Sequence, residues 1–541
     1  MSDVLKSTNE EPEKLHIDDL ASDHSSETTT TRKELWSYYL YYVGNNGLSG
    51  FNFGPSQFQN LLFLAGYDPT QEPFTAPCND NGCVLPYLGR VRDINSIVLL
   101  TNGISFAIQA LLLLTIGAWA DYGRWRPNIT IFFTLLAVGV SFGWLGVDKP
   151  EQWRAGTALY ILGLIAYQCS LTFWTAAFPG LARDLPDVKQ SLCEVNASEK
   201  SVQDHARLAS LSRNRVSNIS FAVCSLGEVI ILAVMVGILK GLKSDESTQN
   251  NTKAFSVLIA FSGGVWCMVA ILFTFLYEAE PTMAVLCALP WFFFERRRSG
   301  LTLPPGTTYL TIGFMQVYAA LRECMKLRQT FLYLLFYFLM GDVLNTTVTV
   351  IGTLQNSVVA YSTLQLTLLL IVGIVAQGLG IYLFWLVQKK WKISTKAMVS
   401  FNAFWIIILT IWGLIGVHTD KFGFKHVWEI WLYQVFYGLM VCPWYAYSQT
   451  MISEVSPSPQ MFLFFALFSV VGKTSAFIGP FVSSAIITAS GNNDNMPFAF
   501  LFGLLFFLWM VDVEKSRVEC EEFIMAEGDR AAFKTHDLVA A

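Results

Sequence analysis

A helix of about 20 largely apolar residues is what it takes to cross the hydrocarbon core of a bilayer. Stretches of that kind recur along this chain almost from end to end. Lipid offers no partner to a peptide N–H or C=O, so each stretch must satisfy its own backbone, and a helix does so. Spans are expected near 35–65, 94–120, 128–147, 155–178, 215–240, 254–277, 329–352, 362–387, 397–417, 429–451, 462–489 and 497–513. The first is rich in Tyr, Gly and Asn and would escape a strict hydropathy window. Composition agrees: charged residues are 14% of the chain and hydrophobic residues 53%, whereas soluble domains carry about 25% charge. A net charge of -5 with no long basic run excludes a nucleic-acid partner.

The polar, acidic opening stretch has no apolar core, so residues 1–33 are expected as a disordered tail rather than a cleaved signal. An even number of spans puts both termini on one side. The loops that would then share that side hold about twice as many Lys and Arg as the others, which makes it cytosolic. Arg296, Arg297 and Arg298, and the later Lys389, Lys390 and Lys392, are expected as topology signals, with anionic-lipid contact as the sharper alternative. Residues 290–294 are too short to span again and are expected to extend the sixth helix or lie at the interface. A polar, basic insert at 278–328 divides the chain into halves, 34–277 and 329–513, followed by a tail at 514–541. Six spans plus six is how major facilitator transporters are built. The expected fold is therefore an all-α, polytopic major facilitator bundle of about 12 helices.

Beyond the first span, Cys78 and Cys83 sit in a polar stretch on the non-cytosolic side, where a disulfide would persist. No metal-ligand set accompanies them, and none of the six His falls in an apolar run, so neither a metal nor a cofactor is expected. Asn250-Asn251-Thr252 is an acceptor pattern for glycosylation of Asn250 on that same side.

Gly117, Asp121, Gly123, Arg124 and Arg126 lie in GAWADYGRWRP, between spans two and three. The run resembles the major facilitator loop signature that holds adjacent helices in one state of the cycle, with one residue fewer between Asp121 and Gly123. The alternative is a charged turn that only fixes topology. Ionisable groups inside spans are expensive and suggest function by default; Glu228, Asp342 and Lys473 are of this kind. Lys473 is expected to pair with Asp342 or Glu228, or to meet a substrate carboxylate; a purely structural ion pair is the alternative. Gly472-Lys473-Thr474 is not a phosphate-binding loop, because Leu467 stands where that loop needs Gly. Asn45, Asn46, Gly47, Gly50, Asn52, Gly54 and Pro55 break the first span, and Gly341, Asp342, Asn345 and Thr346 weaken the seventh. Interrupted spans at matching places in two halves point to a transport path, against the plainer reading of polar helix packing. No span carries a nucleophile–base pair, so an enzyme is not expected.

TFWTAAFPGLARDLP, SRNRVSNISFAVCSLGEVI, FYFLMGDVLNTT and VDVEKSR resemble segments of the autophagy-related protein 22 family of fungal vacuolar effluxers. The run from Tyr437 to Phe481 is the most specific, with Ser453-Glu454, Pro457, Gly472-Lys473 and Gly479-Pro480. Gln449 departs from the family's Arg, and the tenth–eleventh loop reads SPSPQM. The resemblance implies a vacuolar membrane location with both termini cytosolic. It also implies export of amino acids, Leu and other neutral ones among them, from the lumen after autophagic breakdown. Asn45, Asn46, Glu228, Asp342, Asn345 and Lys473 would line the path of the amino-acid substrate and of protons as the coupling ion. Transport of another metabolite and a non-transporting scaffold for autophagic-body breakdown stay open.

Overall fold

A computed structural model describes residues 29–68, 76–78, 83–122, 125–244, 246–267, 288–298, 303, 308, 309, 312, 327–358, 363–419, 421–456, 464, 465, 467–472, 486 and 515. Helix α1 (Arg32–Gly44) starts on Thr31, whose hydroxyl accepts from the Glu34 amide, a standard N-cap. Packed structure begins slightly earlier, a few residues before the tail boundary expected from the sequence. Thr30 is buried, its amide donating to the Asp184 carbonyl at 2.8 Å and its hydroxyl to the Leu181 carbonyl at 2.9 Å.

The first span is broken. After α1, Gly47 takes a φ of +93°, which suits a residue without Cβ. A π-helical turn, Leu48–Phe53, follows, and α2 (Gly54–Ala65) restarts with Pro55 in its first turn, where the missing N–H does no harm. Beyond α2 the chain forms a hairpin of β1 (Val84–Tyr87) and β2 (Arg90–Asp93), antiparallel, with Tyr87 opposite Arg90. Its turn residues Leu88 and Gly89 both have positive φ, 49° and 77°, as a tight two-residue turn requires. Cys78 and Cys83 are joined by a disulfide beside it.

The rest of the first half is α3 (Ile94–Asp121), α4 (Arg126–Gly143), α5 (Trp153–Thr175), α6 (Phe178–Arg183), α7 (Pro186–Asn196), α8 (Val202–Gly241), α9 (Thr248–Cys267) and the short α10 (Ala288–Phe294). The second half contributes α11 (Arg328–Val358), α12 (Thr363–Trp391), α13 (Thr395–Ile415) and α14 (Val427–Phe436). A second π-helical turn, Tyr437–Val441, leads into α15 (Pro443–Val455). Among the described residues six helical stretches are long and apolar enough to cross a membrane: α3, α4, α5 with α6, α8, α12 and α13. The broken first span falls outside that set because its two helices, of 13 and 12 residues, are each too short. The spans expected at 462–489 and 497–513 lie largely or wholly outside the described residues.

Helix α8 joins the halves. Its 40 residues make it about 60 Å long, twice the hydrocarbon thickness, so its first turns stand clear of the membrane. It packs along α12 and against α15. Gln377 donates to the Ser225 hydroxyl at 3.1 Å across this seam. Glycines set the approach of α12 to the second π-turn: a Cβ at Gly380 would collide with the Leu439 carbonyl, and one at Gly438 would stand 2.6 Å from the Gly373 carbonyl. Close backbone packing through small residues is how helices associate in lipid, where burial of apolar surface gives no drive.

Candidate functional site

The break in the first span is held by its own asparagines. Asn46 donates to the Val43 carbonyl at 3.0 Å and accepts from the Leu48 amide at 2.9 Å, so one side chain replaces ladder bonds on both sides of Gly47. Asn45 is fully buried and donates to Ser170 on α5 at 3.3 Å. Its carbonyl oxygen is buried with no partner among the described residues, which leaves an acceptor facing the interior.

Tyr167 of α5 lies against this segment. A Cβ at Gly47 would stand 2.9 Å from its hydroxyl oxygen, and one at Gly50 would stand 3.3 Å from its Cβ. The two glycines therefore let the broken backbone rest on the Tyr167 ring. Beside them opens a cavity of about 200 Å³, walled by Phe51, Asn102, Gln109, Tyr160, Tyr167 and Gln168 among others. The Tyr160 hydroxyl donates to Asn102 at 2.5 Å and Gln109 donates to Ser105 at 2.9 Å, while the Gln109 carbonyl oxygen has no partner among the described residues. Rings, amides and hydroxyls line this cavity.

Glu228 lies in the membrane-spanning part of α8 and is 6% exposed. Among the described residues it has no ion-pair or hydrogen-bond partner. Cys224, one turn earlier on α8, donates to the Tyr42 carbonyl of α1 at 3.3 Å, and Gly227 beside Glu228 lies against Val43. The break held by Asn45 and Asn46 thus has Tyr167 of α5 against its glycines and the Glu228 turn of α8 against Val43. Asp342 and Asn345 stand on α11 in the other half; Asp342 is buried, and Asn345 donates to the Gly341 carbonyl at 2.7 Å. Lys473 lies outside the described residues. Sequence reasoning passed over Tyr42, Tyr167 and the cavity amides, since aromatic and amide residues in a span read as packing until the break brings them together.

At the end of the bundle that carries the N-terminus, charges are organised more tightly than the sequence reading allowed. Arg298 is not merely a topology signal. It donates to Asp184 at 2.6 Å, to Glu34 at 2.9 Å and to Thr30 at 3.0 Å, with its side chain 14% exposed. The Arg296 amide also donates to Glu34, at 3.1 Å. Arg126, expected within the loop signature, forms an ion pair with buried Glu295. Burial lifts the Glu295 carboxyl above its ordinary value, and Arg126 and Arg298 oppose that shift. Gly117 and Asp121 are buried near the end of α3, while Gly123 and Arg124 lie outside the described residues. A second cluster ties the halves together at this end: Glu454 of α15 accepts from Ser210 of α8 at 2.5 Å and from Thr395 of α13 at 2.8 Å, with Arg213 at 3.6 Å.

Asn250 is half-buried in the first turn of α9 and donates to the Lys243 carbonyl at 3.3 Å. Thr252 of the same acceptor pattern is buried, its carbonyl accepting from Gln57 and its hydroxyl from Asn60.

Solved structures share the fold. The human organic anion transporter MFSD10 matches with a TM-score of 0.54 at 14% identity, covering 89% of this chain and 99% of its own. FucP, a major facilitator transporter in its outward conformation, gives 0.52 at 12%, covering 88% and 98%. Among curated proteins, autophagy-related protein 22-1 of Phaeosphaeria nodorum is 22% identical over 98% of this chain and 99% of its own length. Autophagy-related protein 22 of Kluyveromyces lactis is 23% identical over 82% and 85%. That of Saccharomyces cerevisiae is 26% identical over 41% and 43%. The family model described as "Vacuole effluxer Atg22 like" matches residues 30–521. The chain is a multi-pass membrane transporter of the major facilitator fold, and it belongs to the Atg22 family.

Proposed function

We propose that this chain exports neutral amino acids, Leu among them, from the vacuole lumen to the cytosol. The single observation that carries this reading is the pairing of a broken first span, with its amide- and tyrosine-lined cavity, and the buried carboxylate of Glu228 on the helix joining the halves, without a partner among the described residues. A zwitterionic substrate offers an ammonium and a carboxylate. The carbonyl oxygens of Asn45 and Gln109 suit the former, and backbone N–H groups of the interrupted helix suit the latter. Apolar side chains fit beside Phe51 and Tyr160.

Glu228 is assigned the coupling role. An isolated carboxylate in a membrane interior is costly to keep charged, so it holds a proton or meets a cation for part of each cycle. Lys473 and Asp342 are proposed to act with it from the second half. The Glu454 tie supports a state closed at the N-terminal end, which in the proposed orientation leaves the lumenal side as the loading side. The family model's description supports the vacuole as the location. The test is release of labelled leucine from isolated, preloaded vacuoles with and without this chain; equal release in both would refute the proposal.

A further inference from the structure

We infer that Phe293, Phe294, Arg296 and Arg297 form, with the start of α4, a binding site for an anionic phospholipid. Helix α10 is fixed from its inner side: Trp291 is fully buried, edge-on to Tyr38 at 5.2 Å. The next turn faces out, with Phe293 76% and Phe294 48% exposed. The charges that follow divide sharply. Glu295 turns in to Arg126 and Arg298 turns in to Glu34 and Asp184. Arg296 and Arg297 stay exposed, and among the described residues neither has an acidic partner.

Arg297 reaches Asn128 in the first turn of α4 at 3.4 Å. One turn further along α4, Phe132 is 61% exposed. Guanidinium groups, an amide and then aromatic rings thus follow one another in the order a phospholipid presents its phosphate and its chains. A guanidinium binds phosphate through paired N–H groups, and exposed Phe rings offer apolar surface for the acyl chains. Two uncompensated positive charges select an anionic headgroup over a choline headgroup, whose own cation they repel. This site is separate from the transport path and does not depend on the substrate proposed above.

The test is native mass spectrometry of the purified full-length chain with equal amounts of phosphatidylserine and phosphatidylcholine. The wild type should retain phosphatidylserine preferentially. Arg296→Gln with Arg297→Gln should lower that preference roughly thirty-fold, at about five- to sixfold per charge, with no change in melting temperature. Arg296→Lys with Arg297→Lys should keep most of the preference, and Phe293→Ala should weaken both lipids. An unchanged preference in the double glutamine variant would overturn the site. So would an equal loss from Lys389→Gln with Lys390→Gln, which would mark diffuse attraction, or displacement of the lipid by inorganic phosphate.

Discussion

Replacing Arg298 with Gln tests the charge cluster that binds α1, α6 and α10 into one end of the bundle. Arg298 makes its two carboxylate contacts at 2.6 and 2.9 Å, and the side chains left behind are 7% exposed for Asp184 and fully buried for Glu34. Removing one partner of a buried pair costs about 3–5 kcal/mol, because the remaining charge stays buried without compensation. The neighbouring Arg183–Asp184 contact is a useful contrast: its arginine is 68% exposed at 3.4 Å, a geometry that contributes about 0–1 kcal/mol. For a cooperative unit of about 150–250 residues, the size of one six-helix half, each kcal/mol moves the melting temperature by about 2–4 °C. Arg298→Gln should therefore melt about 10 °C lower in detergent, and Arg183→Gln close to wild type. Glu34→Gln combined with Arg298→Gln should lose less than the two single changes added together, since the groups are coupled. A variant Arg298→Gln that melts like the wild type, or strictly additive losses in the double variant, would show that this cluster does not hold the end of the bundle together.

Other consequences are open to simple checks. Because burial raises the Glu295 carboxyl above 4.5, its protonated form favours the folded state. That contribution is complete below the ordinary value and is lost as pH rises through the raised one, so Glu295→Gln should flatten that part of the melting-versus-pH curve. Gly380→Val should drive a side chain into the Leu439 carbonyl, cost about 1–3 kcal/mol or more by overpacking, and weaken transport by prising α12 from the tenth span. Cys78→Ser should free the disulfide loop, cost about 2 kcal/mol locally, and speed amide exchange across Val84–Asp93 without unfolding the bundle.

Much of the fold was legible because the bilayer imposes it. Segment length and Lys/Arg placement are linear properties of sequence, and α3, α4, α8, α12 and α13 follow the expected spans closely. The interruption of the first span was legible too, from Asn45, Asn46, Gly47 and Pro55, since each has a local backbone consequence. The cavity was not. Phe51, Asn102 and Tyr160 are distant in sequence and meet only when the π-turn, α3 and α5 pack together. Nor could sequence divide the three consecutive arginines. Arg298 is separated from Arg296 and Arg297 by Asp184 and Glu34, which lie more than a hundred residues away, and no local pattern records that pairing. Nor does any local pattern record the pairing of Glu454 with Ser210 and Thr395, 244 and 59 residues away.

Glu228 is proposed to couple a proton to transport through the broken first span. The most direct measurement is leucine release from preloaded vacuoles as a function of lumenal pH, comparing wild type with Glu228→Gln at equal abundance and equal melting temperature. The expected result is pH-dependent release in the wild type, and slow release without pH dependence in Glu228→Gln. Wild-type release with unaltered pH dependence in the Gln variant would contradict it.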